Sequence, residues 1–232
     1  MSAGSGAWDP RGLSAAAKFE REKRAAAQAA AEIVESGMTV GLGTGSTVAY
    51  LLPALAARRL AVRCVTSSPA TEHAARSLGI EVESFNGPAA PARVDVTIDS
   101  ADQVSPSGWL VKGGGAAHTR EKALAAAAER FVVIVSSNKL VRRLSPPIPL
   151  ELLEYGLAAT LARLGHVRLR DVPRSPDGGV IADYLGEVDE PDATAARLSS
   201  TTGVIEHGLF APTLVSEILV AQGERVDRIT TP

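Results

Sequence analysis

Two glycine-rich stretches and a few charged residues carry the chemistry open to this sequence. The first stretch is "TVGLGTGSTVAY" (39–50), with three glycines and four Ser or Thr hydroxyls after a short apolar run. A strand, a glycine loop and a helix start suit an anion. Glycines let backbone N–H groups come close, the helix terminus adds its dipole, and Ser46 and Thr47 add hydroxyls. The same pattern is also met in a tight turn that binds nothing. Two nucleotide readings fail. Position 46 is serine where the dinucleotide fingerprint needs glycine, and the next strand ends in Thr66, Ser67 and Ser68 with no acid for a ribose. No lysine follows the glycines, as an ATP loop requires. The second stretch, "LVKGGGAAHTREKALA", places Lys112 before Gly113, Gly114 and Gly115, and Glu121 nine residues after the lysine in a helix. A carboxylate there can face the same cleft as a base, or lie on the helix surface. "VTIDSAD" sets Asp99 and Asp102 at a strand's C-terminal end, where open α/β sheets bind ligands. The two acids share a pocket if the turn after Asp99 is tight; otherwise Asp99 caps a turn and Asp102 is solvated. Lys139, after "FVVIVSSN", is a cation at another such end, or an ordinary exposed lysine.

The elements that would position these residues alternate between strand and helix over about the first 140 residues, which predicts a mostly parallel sheet covered on both faces. An alanine-rich helix capped by Ser14 comes first, with Gly37 after it. Strands are expected at "MTVGLG", "LAVRCVTSS", "EVESF", "VDVTIDSAD", "WLVK" and "FVVIVSS". Pro146, Pro147 and Pro149 mark a boundary. A helix over 151–164, strands at "HVRLRDV", "GGVIADYLGEV" and "TTGVIEHGLF", and a helix between the last two predict a small α+β insert. The stretch "TLVSEILVAQGERVDRIT" can return to the first sheet. The expected fold is α/β: a doubly wound, Rossmann-like domain (1–144 plus 208–232, with 1–14 a flexible tail) and an inserted ferredoxin-like α+β unit (145–207) serving as lid or dimerisation surface.

Several function classes are disfavoured. The net charge is −2 with mixed signs and no basic block, so nucleic acid and membrane surfaces are not expected partners. The single Cys64 rules out an internal disulfide or a cysteine metal cluster. His73, His118, His166 and His207 lack metal-site spacing, and only His118 lies near a motif. There is no G-x-S-x-G elbow, no membrane-length apolar run and no secretory leader pattern, so a cytoplasmic protein is expected. Trp8 and Trp109 read as tail or packing residues.

Taken together, "GLGTGST", "TSSPATEHAARSLGI", "IDSAD", "LVKGGGAAHTREK", the lysine of "SSNK", "PIPLELL" and "GVIEHGLF" resemble ribose-5-phosphate isomerase, type A, in order and spacing from about residue 23 onward. The resemblance implies interconversion of ribose 5-phosphate and ribulose 5-phosphate through an enediol(ate), with no metal and no cofactor. It implies Glu121 as the base, Asp99 and Asp102 in ring opening and hydroxyl proton transfer, and Lys112 with nearby amides stabilising an oxyanion. It implies substrate contacts from Thr44, Gly45, Ser46, Thr47, Ser100, Ala101, the three glycines and Lys139, with Lys23 of the first helix toward the phosphate. A homodimer or a dimer of dimers is also implied.

Three positions depart from the family pattern: Ser100 replaces a glycine, Gln103 an acid and Ser136 an aspartate. Such changes beside the site would narrow the pocket or alter its charge. Rival expectations are an isomerase of another aldose phosphate, a sugar-phosphate-binding regulator without turnover, and a CoA-transferase whose glutamate attacks a thioester.

Overall fold

The computed structural model describes residues 14–230. The expected tail, apart from Ser14, and Trp8 with it lie outside the described residues. Helix α1 (Ala15–Ala31) begins where the Ser14 side chain accepts the Ala17 N–H at 3.2 Å. Then follow β1 (Thr39–Leu42), α2 (Val48–Ala57), β2 (Arg63–Thr66), α3 (Pro69–Ser77) and β3 (Val94–Ser100). Two short strands, β4 (Gln103–Val104) and β5 (Leu110–Val111), lead to α4 (His118–Ala127) and the long β6 (Ala128–Ser136).

β6 shows why this half folds as a covered parallel sheet. Val132 and Ile134 pack on one side with Ala27, Ala30 and Leu51, whereas Phe131, Val133 and Val135 pack on the other with Ala125 and Phe210. Side chains alternate faces along a strand, so an unbroken apolar run implies cover on both. The alanines of α1 present methyl groups only, which lets the helix lie close against β6.

The next segment builds a second layer from β7 (Ile148–Leu152), α5 (Leu157–Leu164), β8 (Val167–Leu169), β9 (Val180–Tyr184), α6 (Pro191–Ser200) and β10 (Val204–His207). Its antiparallel sheet runs β10-β7-β9-β8, the strand order of a ferredoxin-like unit, over a core of Ile148, Leu150, Leu152, Ala182 and Leu198. Trp109 packs against that core. After β10 the chain passes Gly208 into β11 (Leu209–Phe210), which pairs with β5 and completes a three-stranded sheet β11-β5-β4. A side chain at Gly208 would sit 2.2 Å from the Lys112 carbonyl oxygen, so only glycine permits this crossing. Finally β12 (Glu217–Gln222) inserts parallel beside β6, and β13 (Arg225–Thr230) closes the edge antiparallel. The large sheet reads β13-β12-β6-β3-β1-β2.

Three expected elements differ. "EVESF" forms no strand; only Val82 bridges to Cys64, because a turn held by the Ser84 hydroxyl and Gly87 leaves the edge. The helix expected over 151–164 starts only at Leu157, since Glu151 and Leu152 belong to β7. β7 is bonded on both sides, and that pairing outweighs the helix propensity of "ELLE". "TTGVIEHGLF" is two strands in two sheets, divided at Gly208. Among the described residues, no helix is long and apolar enough to cross a membrane.

Candidate functional site

The site is built at the C-terminal ends of β1 and β3. β1 runs into Gly43, Thr44 and Gly45, and α2 opens at Thr47. Asp99, fully buried, is the penultimate residue of β3. Asp99 Oδ1 accepts the N–H groups of Thr44 (3.0 Å) and Ser100 (2.7 Å), tying the two strand ends together. The fit depends on Gly43, where a Cβ would lie 1.9 Å from Asp99 Cγ. Gly43→Ala is therefore expected to cost about 1–3 kcal/mol through overpacking and to displace the 44–47 loop. Thermal unfolding and turnover measured on the same preparation check this; an unchanged melting temperature would contradict it.

β5 delivers Lys112 and α4 delivers Glu121 into the same buried space. Lys112 Nζ lies 2.8 Å from Asp99 Oδ2 and 3.2 Å from Glu121 Oε2, donates to the Ser100 carbonyl, and sits 5.4 Å from the centre of the Phe210 ring. Lys112 is 2% exposed and Glu121 3%. Burial pushes Glu121 up to about 8, with Lys112 opposing and Asp99 and Asp102 adding to the rise. Burial raises Asp99 too, against the pull of Lys112. At Lys112 burial favours the neutral amine, but Asp99 and Glu121 outweigh it and raise its pKa. The cluster is thus a cation with two carboxyls, and burial pushes both carboxyls toward the protonated form.

Every residue expected from the sequence, except Asp99 and Lys23, lines one cleft. Thr44 to Thr47, Asp102, Lys112, the three glycines, Glu121 and Lys139 line it together, and a Cβ at Gly115 would lie 3.6 Å from Thr44 Cγ2. Asp99 lies beneath the cleft, against Lys112. Lys23 is on α1, bonded to Glu20 at 2.6 Å, and does not line it. Lys139 ends the short turn Ser137–Lys139 and has no ion-pair partner among the described residues. His118 is buried behind Gly113, neutral because burial pushes it down to about 4. No group of side chains that could hold a metal ion occurs among the described residues. A separate cavity of about 480 Å³ touches α4 through Thr119, Arg120 and Ala123, not Glu121, and its arginines are already paired with Glu72 and Asp177.

The three departures turn their polar atoms elsewhere. The Ser100 hydroxyl donates to the Thr44 carbonyl at 3.0 Å. Gln103 holds Ser145 through both amide atoms, at 2.8 and 2.9 Å, a pairing an ionised glutamate cannot make because it has no donor. Ser136 bonds Asn138 at 2.6 Å.

Two supporting residues carry no motif. Buried Glu22 accepts the Ser137 N–H (2.9 Å), the Ser137 hydroxyl (2.7 Å) and the Gly223 N–H (2.9 Å), so α1 fixes the turn that ends in Lys139. Arg170, just beyond β8, reaches the carbonyls of Gly113 and Gly114.

Comparison with known proteins agrees over most of the chain. Residues 63–225 match the model of the family described as ribose 5-phosphate isomerase A (phosphoriboisomerase A). Residues 18–93 also match a DeoR C terminal sensor domain model. The chain is 42% identical over 223 residues to ribose-5-phosphate isomerase A of Caulobacter sp. (strain K31), covering 90% of this chain and 97% of that protein. Among solved structures, ribose 5 phosphate isomerase A from Neisseria gonorrhoeae superposes with a TM-score of 0.86 at 31% identity, covering 92% of this chain and 98% of that one. A D-ribose-5-phosphate isomerase in complex with phospho-erythronic acid gives 0.83 at 31% identity, covering 91% and 99%.

Proposed function

Because the chain belongs to the ribose 5-phosphate isomerase A family, we propose that it interconverts ribose 5-phosphate and ribulose 5-phosphate through a cis-enediol(ate), with Glu121 as the proton-transfer base. The observation that carries this reading is a buried carboxyl, pushed up to about 8, facing a buried cation in a cleft that a glycine loop at a helix start also lines.

The substrate lies with its phosphate on Thr44, Gly45, Ser46, Thr47 and Lys139, where backbone N–H groups, hydroxyls and a cation meet an anion. Its carbonyl end lies toward Lys112 and the 113–115 turn. Asp102, with Asp99 acting through Lys112, serves ring opening and the hydroxyl protons. Glu121 removes the proton from carbon 2, and the oxygen that gains charge faces Lys112 and the neighbouring amides. The same carboxyl returns the proton to carbon 1, since both carbons present one face of a cis-enediol. This cycle ends with Glu121 as it began. That a D-ribose-5-phosphate isomerase of the same fold was solved in complex with phospho-erythronic acid supports a phosphorylated sugar-like ligand for this cleft. The sensor-domain match stops at residue 93, before Asp99, Lys112 and Glu121, so it gives no support to a reading without the base. The departures at 100, 103 and 136 give little support to a different sugar, since their polar atoms are bonded within the protein. A dimer or dimer of dimers belongs to the same reading; Leu153 and Tyr155, exposed on the small layer, suit a contact between copies.

The test is an NMR time course with ribose 5-phosphate in D2O. Ribulose 5-phosphate should form with deuterium at carbon 1. In the free enzyme the base works only when ionised, so kcat/KM should climb with pH and level off above about 8. Absence of conversion, or product with no solvent deuterium even at partial washout, would remove the enediol mechanism.

A further inference from the structure

We propose that Arg170, anchored by Asp183, is a positioning residue for the isomerisation: it clamps two successive peptide planes of the 113–115 turn so that their N–H groups face the cleft. This rests on the reading of that cleft as the isomerase site.

The guanidinium bridges the small sheet and the site. Arg170 Nη1 donates to the carbonyls of Gly113 (3.0 Å) and Gly114 (3.2 Å). Its Nε and Nη2 donate to Asp183 Oδ1 at 3.0 and 2.6 Å, and Asp183 is only 4% exposed. A trans peptide is planar, with N–H and C=O pointing opposite ways. Drawing the two carbonyls toward Arg170 therefore turns the N–H groups of Gly114 and Gly115 the other way. Gly114 N–H indeed donates to Asp102 Oδ2 at 2.8 Å, and Gly115 lines the cleft. A chain of contacts thus runs from Asp183 through Arg170 and the Gly113–Gly114 peptide to Asp102, a carboxylate assigned to proton handling.

The turn needs such a clamp. Three consecutive glycines have the widest conformational freedom available, and Gly113 sits at φ +96°. Glycine is demanded locally, since a Cβ at Gly113 would meet His118 at 2.7 Å and one at Gly114 would meet Asp102 at 2.9 Å. The turn has one bond of its own, from the Ala116 N–H to the Gly113 carbonyl at 3.0 Å, and the Gly114 carbonyl depends on groups outside it. Arg170 supplies this support with a planar fork that serves a carboxylate and two carbonyls at once, which a lysine ammonium on a flexible stem reproduces poorly. A cation at the carbonyl ends also polarises the peptides and strengthens the N–H donors at the opposite ends.

The test uses the full chain with Arg170→Met combined with Asp183→Asn, so that the buried carboxylate is not left with Arg168 alone, and Arg170→Lys alongside. Hydrogen exchange of the segment 110–117, kcat, KM for ribose 5-phosphate and affinity for inorganic phosphate are measured. Exchange should quicken at the glycine turn, and kcat should fall roughly 10- to 100-fold from misplacement, while KM and phosphate affinity hold. Arg170→Lys should lose nearly as much, and added guanidinium should restore part of the activity of an Arg170→Ala variant that keeps Asp183. Wild-type kcat in these variants, unchanged exchange at 113–115, or equal losses of phosphate affinity, kcat and melting temperature without guanidinium rescue would overturn the proposal. If the unmodified protein fails to turn over ribose 5-phosphate, the functional reading fails, and hydrogen exchange still decides the clamp.

Discussion

Glu121→Gln should bind sugar phosphate normally and lose turnover by roughly 10²- to 10⁴-fold, the range a positioned general base supplies. The amide keeps the shape of the carboxyl and cannot accept the carbon proton. The same substitution carries a stability signature. Glu121 is pushed up from 4.5 to about 8 in the folded chain. Its contribution is therefore full below about pH 4.5, where both states are protonated, and is lost as pH rises toward 8, because the unfolded chain releases the proton first. Glutamine removes that loss, so the variant's melting temperature should fall less between about pH 6 and about pH 9 than that of the parent. Calorimetry at the two pH values, with turnover measured beside it, tests both halves. Near-normal activity would refute Glu121 as the base; an unchanged pH dependence of unfolding would refute its raised pKa.

Lys112→Met should destabilise the protein by about 3–5 kcal/mol at alkaline pH, the usual cost of breaking a buried pair from one side. The lysine is the only cation within ion-pair distance of Asp99 or Glu121 among the described residues. Without it both carboxyls are driven to the neutral form. Their pKa values rise further, so the loss is small in acid and grows as pH rises through them. Denaturant melts at about pH 5 and about pH 9 should show a wide gap for the variant and a narrower one for the parent. Adding Asp99→Asn should recover part of the loss without recovering turnover. Equal destabilisation at both pH values would mean that the methionine fails through packing rather than charge.

Local patterns made much of this legible beforehand. The glycine loop after β1, the turn after Lys112 and the apolar run of β6 each announce themselves within ten residues or so, because backbone reach and strand burial are local demands. The residues alone left open whether Asp99 shares a pocket with Asp102 or caps a turn; in the fold it accepts the Thr44 and Ser100 N–H groups beneath the cleft and faces Lys112. What stayed hidden was long-range. Glu22 meets Ser137 across 115 positions, and Arg170 meets Gly113 across 57. Neither has a flanking motif, and both are ordinary in composition: a glutamate in a charged helix and one of three arginines in "VRLRDVPR". β7 was missed for the opposite reason. Its "ELLE" satisfies a helix locally, and only pairing with β9 and β10 on either side makes it a strand.

The insertion of β12 beside β6 also sets an order of events at the ribosome. β6 is synthesised before the ferredoxin-like layer, pairs with β3, and has its other edge open while that layer is made. That edge belongs to Phe131, Val132, Val133, Ile134 and Val135, a short, uncharged, β-prone run of the kind that recruits a neighbouring chain. A nascent chain that stalls before Glu217 therefore exposes an adhesive strand. Chaperone dependence and aggregation should fall off sharply once β12 has left the ribosome and paired with β6.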